Sequence, residues 1–172
     1  MNVFFETFFP RVFGYVMTLV RDRTLADDLV QESFVRLHRA MDRLDPERDP
    51  SAWVFTVVAN TVRDHWRSKE HRSRGRMVDV DELWDQPDDD HRDPAAQMVA
   101  TGDQADIRLA LEQLAPGDRE IILLREYEEL ETSEIADALG LSPEAVRQRH
   151  SRAVRRLGKI YREMFGEDQV TP

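Results

Sequence analysis

Apolar residues recur at three- and four-residue spacings through most of the chain, and such spacings predict helices rather than strands. Over residues 3–20 the set Phe4, Phe5, Phe8, Phe9, Val12, Phe13, Val16, Leu19 and Val20 is broad enough to surround much of a helix, so the segment reads as core. Pro10 should kink that helix or start a second one, because proline removes a backbone donor and crowds the preceding turn. Thr24 is placed to cap the next helix, with Asp27 in the position of a capping box. There Val30, Phe34, Leu37 and Met41 share one face, while Asp28, Gln31, Glu32 and Val35 fall on the other sides. Taken alone, that polar face also suits an ordinary solvated surface.

Residues 43–48 read as a loop. Asp49 and Pro50 then supply an N-cap and a first helical residue, opening a helix through Trp53 to about His71, with Val54, Val57, Val58, Thr61 and Val62 at apolar positions. Over about 75–102, clustered Asp together with Pro87 and Pro94 replaces periodicity, and the segment reads as a linker. Helical spacing resumes at Asp103 with Ile107, Leu111 and Leu114. Pro116, Gly117 and Asp118 read as a turn capping a further helix, where Ile121, Ile122, Leu124 and Tyr127 supply core; Leu130 packs ahead of the last two helices.

Residues 132–162, TSEIADALGLSPEAVRQRHSRAVRRLGKIYR, carry the most specific pattern. Ala136, Gly140 and Val146 stand where a helix-turn-helix needs a small residue, a residue tolerant of positive φ and a packing residue. Ser142, Pro143 and Glu144 read as N-cap, first helical position and dipole-complementing acid. In the helix that follows, Val146, His150, Ala153 and Leu157 share a core-facing side, leaving Arg147, Gln148, Ser151, Arg152 and Arg155 outward. Seven cations against one acid over 144–162, on such a frame, suit phosphate contact and base-edge hydrogen bonding in a major groove.

Charge changes the picture further. The formal net charge is −10, yet ten acids and one cation, Arg92, fall within 77–106; outside it 24 acids meet 23 cations, so whole-chain charge misrepresents the surfaces. A second basic patch, 63–76, holds six cations and two acids with Trp66 interleaved, which suits unstacked bases as well as duplex backbone. Trp53 and Trp66 are equally compatible with packing roles. The acidic linker is a candidate to screen both patches when DNA is absent.

At 172 residues and 41% hydrophobic content the chain can form one domain or two small ones, and two small helical domains are expected. No cysteine is present, which excludes disulfides and thiolate metal sites and suits a reducing compartment. Glu6, Pro10 and Arg11 interrupt the apolar N-terminal run, and no basic leader or cleavage site is evident, so neither signal peptide nor membrane insertion is expected. Glycine loops for phosphate, HExxH and nucleophile-elbow spacings are missing, and the five histidines (His38, His65, His71, His91, His150) form no catalytic set. His91 beside Asp88, Asp89 and Asp90 reads as solvated loop rather than metal site. The expectation is a non-enzyme with no cofactor and no metal.

Two separated blocks now resemble one known family. ADDLVQESFVRLHRAMDRLDPERDPSAWVFTVVANTVRDHWR resembles region 2, and LAPGDREIILLREYEELETSEIADALGLSPEAVRQRHSRAVRRL resembles region 4, of the extracytoplasmic-function (ECF) group of bacterial RNA polymerase sigma factors. The resemblance implies an all-α chain: a region 2-like domain at 1–76, an acidic linker at 77–102, a region 4-like helix-turn-helix domain at 103–166 and a tail at 167–172. It also implies a cytoplasmic, dissociable subunit of core RNA polymerase that directs promoter-specific initiation. Asp28, Gln31, Glu32 and Val35 would contact the coiled coil of the largest polymerase subunit. Trp53, Asn60, Arg63, Trp66, Arg67 and Lys69 would serve the minus-ten element; Ser142, Arg147, Gln148, Ser151, Arg152, Arg155 and Arg156 would serve the minus-thirty-five element. An anti-sigma factor is an expected partner besides promoter DNA. His150 and Ser151 depart from the family pattern: a buried His150 would lose stability on protonation, and a small Ser151 would alter promoter choice. A sigma-like decoy that occupies an anti-sigma factor, and a dimeric helix-turn-helix repressor, are the competing readings.

Overall fold

The computed structural model describes residues 2–45, 47–74 and 103–166. Among them all regular structure is helical: α1 Asn2–Val20, α2 Arg23–Arg39, a 3-10 turn Met41–Arg43, α3 Ser51–Arg74, α4 Asp103–Glu112, α5 Pro116–Ile122, a π turn Leu123–Tyr127, α6 Thr132–Leu139 and α7 Pro143–Phe165. This is the all-α architecture of two helical units that the periodicity predicts. The linker 77–102, with its screening role and His91, and the tail 167–172 lie outside the described residues.

The first unit is α1 to α3. α1 runs unbroken through Pro10, so no second segment starts there. Proline's φ is already helical, so one lost hydrogen bond is outweighed by the buried face of Phe8, Val12, Tyr15, Val16, Leu19 and Val20. Val3–Val20 is also apolar and long enough to suit a membrane span; here its inner face is core. The cap of α2 lies two residues before the expected one: Asp22, not Thr24, is the N-cap and accepts from the Leu25 amide at 3.0 Å. A carboxylate also complements the helix dipole, which a threonine hydroxyl cannot. Asp49 accepts from the Ser51 amide at 2.9 Å, but α3 opens at Ser51 and not at the expected Pro50, and it buries Val54, Phe55, Val58, Ala59 and Val62.

The second unit is α4 to α7. Pro116 is itself the first residue of α5, so Pro116, Gly117 and Asp118 form the helix's opening turn rather than a separate capping turn. The π turn that follows bonds the Glu128 amide to the Leu123 carbonyl at 3.0 Å. Its extra residue shifts side-chain phase, which is why Tyr127, expected in the core, is 58% exposed. Leu130 is buried as predicted.

The two units pack directly on one another, α3 against α6 and α1 against α5. Their buried apolar residues form one continuous cluster from Phe8 to Ala153. Polar contacts cross the same boundary. The Arg119 guanidinium on α5 is fully buried and donates to the Thr18 and Leu19 carbonyls that end α1, and to the Leu111, Glu112 and Leu114 carbonyls that end α4. Helix ends leave such carbonyls without intrahelical donors. One arginine therefore satisfies the ends of two helices from different units.

Candidate nucleic-acid interface

The helix-turn-helix is built as its residues require. Glu131 and Glu134 form a reciprocal capping box at the start of α6, the Glu131 amide donating to Glu134 at 2.8 Å. Gly140 closes α6 at φ 66°, a left-handed conformation that a Cβ would strain. Ser142 caps α7 by accepting from the Ala145 amide at 3.1 Å, with Pro143 as first helical residue. Val146 and Ala153 are buried beneath α7.

This arrangement presents Arg147, Gln148, Ser151, Arg152 and Arg155 to solvent on one side of α7, as predicted. Glu144 organises the first of them. Its Oε2 accepts from Arg147 Nη2 at 2.8 Å and its Oε1 from Gln148 Nε2 at 3.1 Å, bonds that hold its carboxyl below the usual carboxylate range. The other two predicted contacts have structural duties. Ser142 is the cap, and Arg156, although exposed, pairs with the buried Asp118 carboxylate. His150 is only partly buried, and its Nε2 stands 2.8 Å from Glu126 Oε1 on the π turn. The full burial on which the expectation for His150 rested is therefore not found.

The basic end of α3 is less uniform. Asn60 and Arg67, seven residues apart, are exposed on one side, with Asp64 between them. Trp53 and Trp66 are partly buried and pack on the core, so both indoles have a structural role. The Lys69 side chain lies outside those described. Arg63 turns inward: only 8% exposed, it donates through Nη2 to Glu120 Oε2 at 3.1 Å and through Nη1 to the Leu139 carbonyl at 2.7 Å. Glu120 has no exposed surface and also accepts from the Tyr15 hydroxyl at 2.9 Å. Burial, reinforced by Glu120, pushes the Tyr15 hydroxyl well above its usual range, so it remains a donor.

On α2 the structure gathers Asp28, Gln31, Glu32 and Val35 on one exposed face. Arg36 links this face to α3, donating to Glu32 at 2.6 Å and to Asp64 at 2.7 Å. Asp64, first among these partners, raises the Arg36 pKa above its ordinary value. The sequence reading missed the buried polar set of Tyr15, Arg119 and Glu120. Its visible trace was the triplet Asp118-Arg119-Glu120 set among apolar neighbours, where a solvated turn would not need two residues of opposite sign in the helix's buried phase.

Comparison with known proteins agrees with this geometry. Residues 4–72 match the model for Sigma-70 region 2, and residues 104–157 match that for Sigma-70, region 4. The chain is 34% identical over 164 residues to RNA polymerase sigma factor CarQ of Myxococcus xanthus, covering 92% of this chain and 84% of that one. It is 33% identical over 142 residues to sigma factor CnrH of Cupriavidus metallidurans, covering 80% and 73%. Among solved structures, CnrH in complex with the cytosolic domain of CnrY matches with a TM-score of 0.63 at 26% identity, covering 92% of this chain and 85% of that chain. Sigma factor RpoE in complex with the anti-sigma factor NepR from Bartonella quintana shares the fold, with a TM-score of 0.68 at 20% identity over 93% and 97% of the two chains. With both family regions matched in order and the helix-turn-helix presenting its basic face, the chain belongs to the ECF group of RNA polymerase sigma factors, the regulatory proteins that direct transcription initiation.

Proposed function

We propose that this sigma factor reads a bipartite promoter while seated on core RNA polymerase. In this reading the chain divides into a region 2-like domain at 1–76, a linker at 77–102, a region 4-like domain at 103–166 and a tail at 167–172. The observation that carries it is the outer side of α7, where Arg147, Gln148, Ser151 and Arg152 stand exposed above a fully formed helix-turn-helix. These four supply base contacts to the minus-thirty-five element, with Arg155 adding a phosphate contact. Arg156 and Ser142 act indirectly, through the fold that aims them.

Asn60 and Arg67, with Lys69, Trp53, Trp66 and Arg63, serve the minus-ten element along α3. The exposed α2 face of Asp28, Gln31, Glu32 and Val35 docks on the coiled coil of the largest polymerase subunit. Each DNA surface is small, so affinity comes from joint placement on polymerase with a tether setting effective concentration. The place of action is accordingly the cytoplasm. An anti-sigma factor is the expected regulator, since two of the similar sigma-factor structures are complexes, one with the anti-sigma factor NepR and one with the cytosolic domain of CnrY.

Reconstitution with core polymerase followed by footprinting on genomic fragments tests the reading. It expects asymmetric protection in two patches and discrete run-off transcripts. A chain that fails to associate with polymerase, or a two-fold symmetric footprint from the chain alone, would refute it.

A further inference from the structure

Arg147 and Gln148 are neighbours near the start of α7, and both reach back to one carboxylate. Glu144 Oε2 accepts from Arg147 Nε at 3.2 Å and from Arg147 Nη2 at 2.8 Å, while Glu144 Oε1 accepts from Gln148 Nε2 at 3.1 Å. We propose that Glu144 is a positioning residue that determines specificity: by engaging one edge of each neighbour it makes Arg147 a base reader rather than a phosphate clamp, and it fixes which way the Gln148 amide points. This rests on the reading of α7 as the reader of the minus-thirty-five element.

The donors left over define what can be read. A guanidinium offers its five N–H groups along a side edge, Nε with Nη2, and an end edge, Nη1 with Nη2. Glu144 takes the side edge, so the end edge remains, and it matches a base with two adjacent acceptors, as guanine presents in the major groove. An ionised carboxylate cannot donate, so the Gln148 amide must turn its nitrogen toward Glu144. Its oxygen and second N–H are left, the pair that complements the donor and acceptor of adenine. The same carboxylate disfavours the competing use of an arginine at a DNA surface: a phosphate approaching Arg147 would meet like charge beside it, whereas a base edge carries no net charge.

Plainer roles do not account for these bonds. An acid in the first turn complements the helix dipole wherever its side chain points. Here Ser142 already accepts from the Ala145 amide, and the three hydrogen bonds of Glu144 all come from the two side chains. Fold stability is no better a reason: the Arg147 and Glu144 side chains are 59% and 62% exposed, and exposed ion pairs contribute little in water. Against DNA, where water is excluded, the same pairing strengthens. Over 144–162 Glu144 is the one acid among seven cations. It therefore weakens attraction to DNA of any sequence while holding the two residues that can tell sequences apart.

The test uses holoenzyme assembled from the full chain and core polymerase, with promoter fragments altered one base pair at a time across the upstream element. Arg147→Ala and Gln148→Ala first identify the base pairs that each side chain reads, as the positions where preference flattens. Glu144→Gln keeps the side-chain length at an exposed position, so the free chain should hold its urea midpoint close to the parent's. An amide has one accepting end, however, and cannot receive both neighbours as a carboxylate does. Glu144→Gln should flatten preference at those same base pairs by about five- to ten-fold, part of the discrimination of a bidentate contact, and leave other positions unchanged. Binding to unrelated DNA should hold or tighten, because a negative charge is gone. In a chain already carrying Arg147→Ala and Gln148→Ala, Glu144→Gln should have no further effect on preference. Unaltered preference, or one uniform change on every sequence, would overturn the proposal and leave Glu144 a plain surface charge. Flattening that persists undiminished in the doubly substituted chain would overturn it too, making Glu144 a direct base contact. If Arg147→Ala and Gln148→Ala themselves flatten no position, the reading of α7 falls and the proposal falls with it.

Discussion

The Arg119 side chain on α5 donates to the Thr18 carbonyl near the end of α1 at 2.9 Å, so a residue of the region 4-like unit caps a helix of the region 2-like unit. The same guanidinium also donates to the Leu111, Glu112 and Leu114 carbonyls at the end of α4.

Arg119→Ala should therefore destabilise the chain by at least about 3 kcal/mol, because several buried carbonyls lose their donor at once and a cavity remains. Arg119→Lys should recover only a small part, since an ammonium cannot span the same set of acceptors with a planar fork. Urea unfolding of the three proteins decides it; a lysine variant as stable as the parent would contradict the fork geometry.

Gly140→Ala tests the turn of the helix-turn-helix. At φ 66° an alanine is strained, and the expected loss is about 1–2 kcal/mol, whereas Gly140→Asn should cost less. No heavy atom lies within 4 Å of the added Cβ, so the loss should come from backbone strain and not from a clash. Thermal melts of the two variants separate these causes.

Glu128 gives a pH dependence with a definite sign. Burial raises its carboxyl pKa, opposed but not cancelled by the Arg11 guanidinium 2.8 Å away. The folded chain thus holds this proton more tightly than the unfolded chain. Stability from this group is undiminished below the ordinary carboxylate range and declines as pH rises through it to the raised folded value. Glu128→Gln should gain on the parent over that window, measured as the difference in urea midpoint against pH. A gap that narrowed with rising pH would mean the Arg11 pair dominates.

Arg147→Ala should lose about 1–3 kcal/mol in holoenzyme binding to the cognate promoter if its fork reads a base edge. Competition against promoters altered at single base pairs is the measurement. An equal loss on every sequence would demote Arg147 to phosphate contact and lower the salt slope by about one.

Local rules explain which parts of this molecule were legible in its residues. Period-3.6 patterning, the Ser142 and Asp49 caps and the left-handed Gly140 act within one or two helical turns, so the helices, the helix-turn-helix and its outward arginines could be read directly. The motif-rich blocks also placed the family. The local signals were weaker where two candidates competed, as at Asp22 and Thr24, or where a π turn inserted a residue and rotated Tyr127 out of the core. Tertiary structure alone decided the rest. Tyr15 and Glu120 are 105 positions apart, and Arg63 and Leu139 are 76 apart. A buried carboxylate and a solvated one have the same spelling in a sequence; only the approach of α1 and α3 to α5 and α6 determined that Glu120 is dry and that Arg63 is spent on it, because desolvation depends on what the rest of the chain brings near.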